Sequence, residues 1–257
     1  MTKPFVLSVA GLDPSGGAGL LSDVKTMAAF GTQGLGVCTA VTLQNGAEFR
    51  GVEWVEHGTV LAQIEPLLDH YPLAAIKVGL VESIELLCDV IAIARARNAD
   101  LPIVWDPVFA PSSGGTFREP WTAAELYRAC EGLTLITPNR DEIAAAFPTS
   151  KPDSAAERLS VEGAVLLKGG HGTGPAIVDQ LFVRGVLKES FAGPRLENDK
   201  RGTGCVTSTA IAAGLALGHG LGTATGNAIR YVRSYIKSGP GRFGTHQPWE
   251  LVSTGVE

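Results

Sequence analysis

Phe5-Val6-Leu7-Ser8-Val9, then Gly11-Leu12-Asp13-Pro14-Ser15-Gly16-Gly17-Ala18-Gly19, then Leu20, Leu21, Val24, Met27 and Ala28 at helical spacing, is the stretch that decides the fold. The apolar run bounded by Pro4 and Gly11 suits a buried strand, the glycines suit a tight turn, and the spaced apolar residues suit a helix that Gly31 ends. Strand, glycine loop and helix in that order open an α/β sheet. The loop does not carry a familiar nucleotide fingerprint: G-x-x-x-x-G-K-[ST] is absent from the chain. The one G-x-G-x-x-G, Gly239 to Gly244, follows a helical pattern where a dinucleotide site needs a strand.

Outward from this unit the alternation repeats. Strands are expected at Gly36–Leu43, at Ala75–Gly79, at Leu101–Trp105, at Leu133–Ile136 and at Val161–Leu167, with a short flap strand at Gly51–Val55. Helices are expected within Val60–Leu68, along the stripe Ile84, Leu87, Cys88 and Ile91, at Ala123–Cys130, from about Arg140, and from near Gly204 and Thr223. Ala176–Val183 and Val186–Phe191 suit a hairpin turning at Arg184-Gly185. Such alternation predicts a mostly parallel sheet with helices on both faces. At 257 residues, with no internal repeat or linker, a single domain over residues 1–257 is expected.

Composition narrows the function. With 45% hydrophobic and 18% charged residues the chain has material for a sizeable core. A net charge of −5, and no basic run longer than Lys200-Arg201, gives no electrostatic support to nucleic acid or an anionic membrane surface as partner. A small-molecule ligand is favoured. Cys38, Cys88, Cys130 and Cys205 form no C-x-x-C pair and the first residues carry no long apolar signal segment, which fits a reducing cytoplasm. No apolar stretch reaches the ~20 residues that span a bilayer, so no membrane segment is expected.

In parallel sheets ligands bind at the carboxyl ends of the strands, and there the polar and glycine-rich clusters fall. They are Asp13 to Gly19, Gln44, Lys77-Val78-Gly79, Asp106-Pro107 with Ser112-Ser113-Gly114-Gly115 beyond, Thr137-Pro138-Asn139 with Glu142, Lys168-Gly169-Gly170-His171, and Gly202 to Cys205. The last cluster runs into Val206-Thr207-Ser208-Thr209-Ala210, a small-residue helix start whose free N–H groups suit an anion. It equally suits a plain loop-to-helix junction packed against a neighbour.

These segments also carry a resemblance over nearly the whole chain. Gly11–Thr26, the K-V-G at Lys77, the D-P-V at Asp106, T-P-N-R-D-E at Thr137–Glu142, L-K-G-G-H at Leu167–His171 and G-T-G-C at Gly202–Cys205 resemble the hydroxymethylpyrimidine/phosphomethylpyrimidine kinases of thiamine biosynthesis, in the ribokinase-like superfamily. The resemblance implies a three-layer α/β/α domain, a cytoplasmic homodimer, and ATP- and Mg²⁺-dependent phosphorylation of 4-amino-5-hydroxymethyl-2-methylpyrimidine and then of its monophosphate. A pyridoxal or pyridoxine kinase on the same template, or a pyrimidine-binding sensor without catalysis, are the alternatives.

Carried over motif by motif, Gln44 and Asp23 fall on pyrimidine-binding positions, with Gly11 and Val41 or Thr42 lining the same pocket. A carboxamide can donate to ring acceptors and accept from an amine, although Gln44 could also cap the flap and Asp23 could be an exposed helix carboxylate. Backbone donors at Gly202, Gly204 and Cys205 would neutralise the transferred phosphoryl group, with Thr203 on ATP. The same donors are expected to depress the Cys205 thiol pKa and let it take the substrate proton; its alternative role is a small packed side chain. Asn139 and Glu142, at i and i+3 of a helix start, suit Mg²⁺ held through water, and equally an N-cap with its first-turn carboxylate. Asn139 and Lys168 would meet ATP, although Lys168 could instead reach solvent, and Asp106 belongs near substrate or metal. Three positions depart from the family: Arg201, where His usually precedes G-T-G-C, is expected to alter contact with phosphate without removing the backbone anion hole, and Leu80 and Phe109, where Met is frequent, bear on pocket shape.

Overall fold

The computed structural model describes residues 2–111, 114–170, 174–197 and 199–254. Ser112, Ser113 and His171, named in two of the motifs, lie outside the described residues. The elements follow the alternating order: β1 (Phe5–Leu12), α1 (Gly19–Ala29), β2 (Gln33–Gln44), β3 (Phe49–Trp54), α2 (His57–His70), β4 (Leu73–Val78), α3 (Ile84–Arg97), β5 (Ile103–Trp105) and α4 (Ala123–Cys130). Then come β6 (Leu135–Ile136), α5 (Arg140–Ala146), α6 (Pro152–Leu159), β7 (Ala164–Leu167), β8 (Ala176–Val183), β9 (Val186–Pro194), α7 (Thr203–Ala216), α8 (Leu221–Lys237) and α9 (Trp249–Thr254).

Among the described residues nine strands form one sheet, in the order β3-β2-β1-β4-β5-β6-β7-β8-β9. Its six central strands run parallel, while β3 at one edge and the β8–β9 hairpin at the other are antiparallel. β5, β6 and β7 are buried at every residue, as strands covered on both faces must be. One face packs on α2, α3, α4 and α6 through Ile64, Leu87, Leu126 and Leu159. The other packs on α1, α7 and α8 through Met27, Val206, Ile211 and Tyr231. The expected three layers are present. The chain leaves β1 for β2 on one side and returns to β4 on the other, so a crevice is expected at the carboxyl end of β1.

The sequence placed most elements within a few residues, with two misses. Val161–Leu167 is not a strand throughout: β7 begins at Ala164, and Val161 is an exposed turn residue after α6, which was not anticipated. The inward face of α6 is Ala155, Ala156 and Leu159, too small an apolar stripe to announce a helix. The second unanticipated helix is α9, six residues long, whose Trp249 stacks on Phe30. Among the described residues no helix is long and apolar enough to cross a membrane.

Candidate active site

A cavity of about 400 Å³ opens at the carboxyl edge of the sheet, with the first turn of α7 in its wall. Gly202 precedes α7 with φ +70°, and a Cβ there would come within 2.2 Å of the Gly17 carbonyl oxygen. Only glycine fits, because the turn needs the left-handed region and lies backbone to backbone against the loop after β1. Glycine also brings no side chain to cap the helix. Val206 N–H already bonds the Gly202 carbonyl at 2.8 Å, so the N–H groups of Thr203, Gly204 and Cys205 are the donors a helix start leaves for an anion. Beside them sits an ion pair, Lys168 Nζ to Asp106 Oδ1 at 2.7 Å, with Thr137 Oγ1 donating to the same oxygen at 3.1 Å. A Cβ on Gly204 would lie 3.2 Å from Lys168 Nζ and 3.4 Å from Asp106 Oδ2. Thus Lys168 does not reach into solvent. Burial pulls its pKa down, but Asp106 and Glu142 outweigh this and raise it, so the ammonium is held charged at the helix start.

Asn139 and Glu142 form a reciprocal capping box on α5: Glu142 N–H donates to Asn139 Oδ1 at 2.8 Å, and Asn139 N–H donates to Glu142 Oε2 at 2.7 Å. Both residues also line the cavity. Burial pushes the Glu142 carboxyl up to about 7, Lys168 opposes the rise and Asp106 adds to it. Among the described residues no three His, Cys, Asp or Glu side chains converge to hold a metal directly. A hydrated Mg²⁺ still fits, since it keeps several of its waters, and a buried carboxyl this reluctant to ionise is short of positive charge.

Cys205 departs from expectation in one respect. Burial pushes its thiol up to about 11; Lys77 and the Gly19 N–H pull it down, and Asp23 and Asp106 push it up. The helix start does not depress the pKa as the sequence suggested, because desolvation of this half-buried thiol in the cavity wall outweighs the donors.

On the β1–β2 side the expected substrate residues divide. Gly11, Thr42, Gln44 and Asp106 line the cavity. Val41 points away and is 39% exposed, so between Val41 and Thr42 the strand alternation selects Thr42. Asp23 is neither exposed nor in the cavity wall. It is fully buried on α1, where Ser8 Oγ, Lys77 Nζ and Thr209 Oγ1 donate to it at 2.6, 2.7 and 2.8 Å. Every short bond its carboxylate makes is internal, and what it presents to the cavity is the Lys77 ammonium. Burial lowers the Lys77 pKa, but Asp23 and the more distant Cys205 and Asp106 raise it overall. A lysine partner 54 residues away leaves no local mark in the sequence.

Gln44 does not cap the flap. Its Nε2 donates to Thr42 Oγ1 at 2.9 Å and its Oε1 accepts from Arg201 Nη2 at 2.8 Å, so the amide is fixed with its oxygen turned to the arginine. Arg201 also donates to Asp13 Oδ2 at 3.3 Å. The G-x-G-x-x-G segment discarded as a dinucleotide site proves to be a strap: Lys200 Nζ donates to the carbonyls of Gly239, Gly241 and Phe243, and Arg201 N–H to that of Arg242. It pins the chain just before Gly202.

The chain is similar to known proteins over most of its length. The pattern of the family described as phosphomethylpyrimidine kinase matches residues 13–249. A hydroxymethylpyrimidine/phosphomethylpyrimidine kinase from Streptomyces coelicolor is 35% identical over 249 residues, covering 93% of this chain and 91% of its own. Among solved structures, the phosphomethylpyrimidine kinase from Clostridium difficile superposes with a TM-score of 0.75 at 30% identity, covering 91% of this chain and all of that one. The pyridoxal kinase from Staphylococcus aureus in complex with AMP-PCP and pyridoxal shares the fold, with a TM-score of 0.84 at 24% identity over 97% of this chain and 96% of that one.

Proposed function

The chain belongs to the phosphomethylpyrimidine kinase family, and from that premise we propose that it transfers the γ-phosphoryl group of ATP to 4-amino-5-hydroxymethyl-2-methylpyrimidine, and then a second to the monophosphate, for thiamine biosynthesis. The observation that carries this is the meeting, in one cavity, of the fixed amide of Gln44 with the uncapped start of α7. One suits a polar heterocycle and the other a phosphoryl group.

Phosphoryl transfer asks for in-line placement and neutralised oxygens more than for covalent chemistry. With its oxygen held by Arg201, Gln44 offers an N–H to a ring nitrogen, while Gly11 and Thr42 bound the ring. The N–H groups of Thr203, Gly204 and Cys205 receive the transferred group, and Lys168, steadied by Asp106, adds a point charge beside them. Mg²⁺, when bound through its waters near Asn139 and Glu142, supplies neutralising charge on the ATP phosphates. Cys205 Sγ takes the proton of the acceptor hydroxyl. Because its pKa is about 11, it acts at neutral pH through a thiolate fraction on the order of 1 in 10⁴. A cytoplasmic homodimer, as the family resemblance implies, completes the proposal.

Incubation with ATP, Mg²⁺ and either the pyrimidine alcohol or pyridoxal, with ADP and phosphorylated product measured, tests it. ADP and pyrimidine phosphate are expected; ADP only with pyridoxal would make it a pyridoxal kinase, and no ADP would make it a sensor. Gln44→Ala should raise the pyrimidine KM about tenfold, the loss of one buried hydrogen bond, with the ATP KM within about twofold. A change mainly in the ATP KM would remove Gln44 from the pyrimidine site.

A further inference from the structure

The strap before the start of α7 is built around a charge. Lys200 is 4% exposed, and the partners of its Nζ among the described residues are three backbone carbonyls, those of Gly239, Gly241 and Phe243, at 2.8, 2.7 and 3.2 Å. Three acceptors match the three donors of an ammonium, so none is left over for a phosphate. Gly239 and Gly241 stand at φ +83° and +84°, a region glycine enters freely, and with Phe243 they turn three carbonyls towards one point. A ring of neutral carbonyl oxygens is what replaces the water shell of a monovalent cation. The strap is such a cage, and the cation in it is a side chain.

The strap also reaches both sides of the cavity. Arg201 N–H donates to the Arg242 carbonyl at 2.8 Å and the Tyr235 hydroxyl donates to the Arg201 carbonyl at 3.1 Å, so the residue before Gly202 is held through both of its backbone groups. On the acceptor side Arg242 Nη1 donates to the Gly46 carbonyl at 2.7 Å. The Phe243 ring lies against Gly17 and Gly46, where a Cβ would come within 2.8 and 3.2 Å of it. One segment therefore ties the turn that presents the α7 donors to the turn that follows Gln44. Without the charge at its centre, three buried carbonyls would face one another with no donor between them.

Resting on the kinase function proposed above, we propose that Lys200 is a positioning residue whose ammonium serves as the built-in monovalent cation of the strap and holds the α7 donors in register with the acceptor side of the cavity. It touches neither reacting group and acts through the strap. Emptied of the ammonium, the same carbonyls would take a small cation from solution.

The test is turnover and thermal melting of the full chain in choline chloride, with choline then replaced at equal ionic strength by potassium or by propylammonium, the group that Lys200→Ala removes beyond Cβ. Wild-type kcat should stay within about twofold in all three salts, because its cage is filled. Lys200→Ala, assayed well below its melting temperature, should lose kcat about tenfold or more in choline, the scale of a displaced reacting group. Propylammonium or potassium should restore it severalfold and raise its melting temperature, as a ligand of the folded state does. Lys200→Met keeps the apolar stem without the charge; kcat should fall as far, and propylammonium, having no room, should restore nothing. Full turnover in Lys200→Met overturns the proposal, and this variant decides the matter if the alanine variant does not fold. A folded Lys200→Ala that no small cation rescues overturns it too, as does one that loses only melting temperature, since Lys200 would then stabilise the fold and position nothing. A wild type that makes no ADP overturns the kinase function, and the cage is then judged by melting alone: it fails if neither cation raises the melting temperature of Lys200→Ala more than that of the wild type.

Discussion

Two helices begin at the same cavity, and they begin differently. α5 starts with a full capping box, Asn139 and Glu142 satisfying each other's backbone N–H groups at 2.8 and 2.7 Å. α7 starts on a glycine with φ +70° and no side-chain cap. Capping is worth about 1 kcal/mol, so a helix that omits it while pointing into a cavity keeps its donors for something else. The structural start and the functional start are told apart by what is left unsatisfied.

The largest effect that separates them is expected at Cys205. Cys205→Ala leaves the backbone donors of α7 in place and should still lower kcat by 10²–10⁴, the usual weight of a general base, with little change in either KM. The pH profile gives an independent reading. The thiolate is the active form and its pKa is about 11, so below that value each added pH unit raises its fraction tenfold. Wild-type kcat should therefore climb between about pH 7 and 9 wherever chemistry limits turnover, and the Ala variant should lose the climb. A flat wild-type profile with near-normal Ala turnover would leave the donors of α7 doing the catalysis, and Cys205 a packed side chain.

Gly204→Ala should have an intermediate effect. Unlike Gly202, Gly204 does not lie in the left-handed region, and alanine is the better helix former, so the melting temperature should hold or rise. The added methyl would sit 3.2 Å from Lys168 Nζ and 3.4 Å from Asp106 Oδ2, where the phosphoryl group must pass. A fall in kcat of about 10–100-fold without loss of stability is expected from misplacement on this scale. Unchanged turnover would mean that the space above Gly204 is not on the reaction path.

How much of this was legible in the sequence depends on the range of the interaction. Strand, loop and helix from Phe5 to Gly31 are local patterns, and so are the G-T-G-C turn and the Asn139–Glu142 spacing; the structure contains all three. The failures are long-range. Asp23 gave no sign that Ser8, Lys77 and Thr209 would enclose it, and Arg201 gave none that it would span Asp13 and Gln44. The direction of the Cys205 shift was misjudged for the same reason. Its helix start was visible in sequence but the desolvation of its thiol by the surrounding elements was not, and that desolvation dominates the shift.

The smallest expected effect is at α5, where Glu142→Gln should preserve the capping box, since glutamine serves at that position as well as glutamate. Turnover should change only a few-fold, with more Mg²⁺ needed to reach it if Glu142 helps to position the metal. Stability carries the sharper signal. In the folded protein Glu142 titrates at about 7, against 4.5 for an ordinary glutamate, so between those values the folded state holds a proton that the unfolded chain has lost. Its contribution is therefore most favourable below about pH 4.5 and is lost as the pH rises through 7. Glutamine does not titrate, so the melting temperature of Glu142→Gln relative to wild type should rise by on the order of a few degrees between pH 4.5 and 7.5. Equal pH dependence in the two proteins would mean that Glu142 ionises normally in the folded state. The start of α5 would then be a cap and nothing more, and the contrast with α7 would be complete.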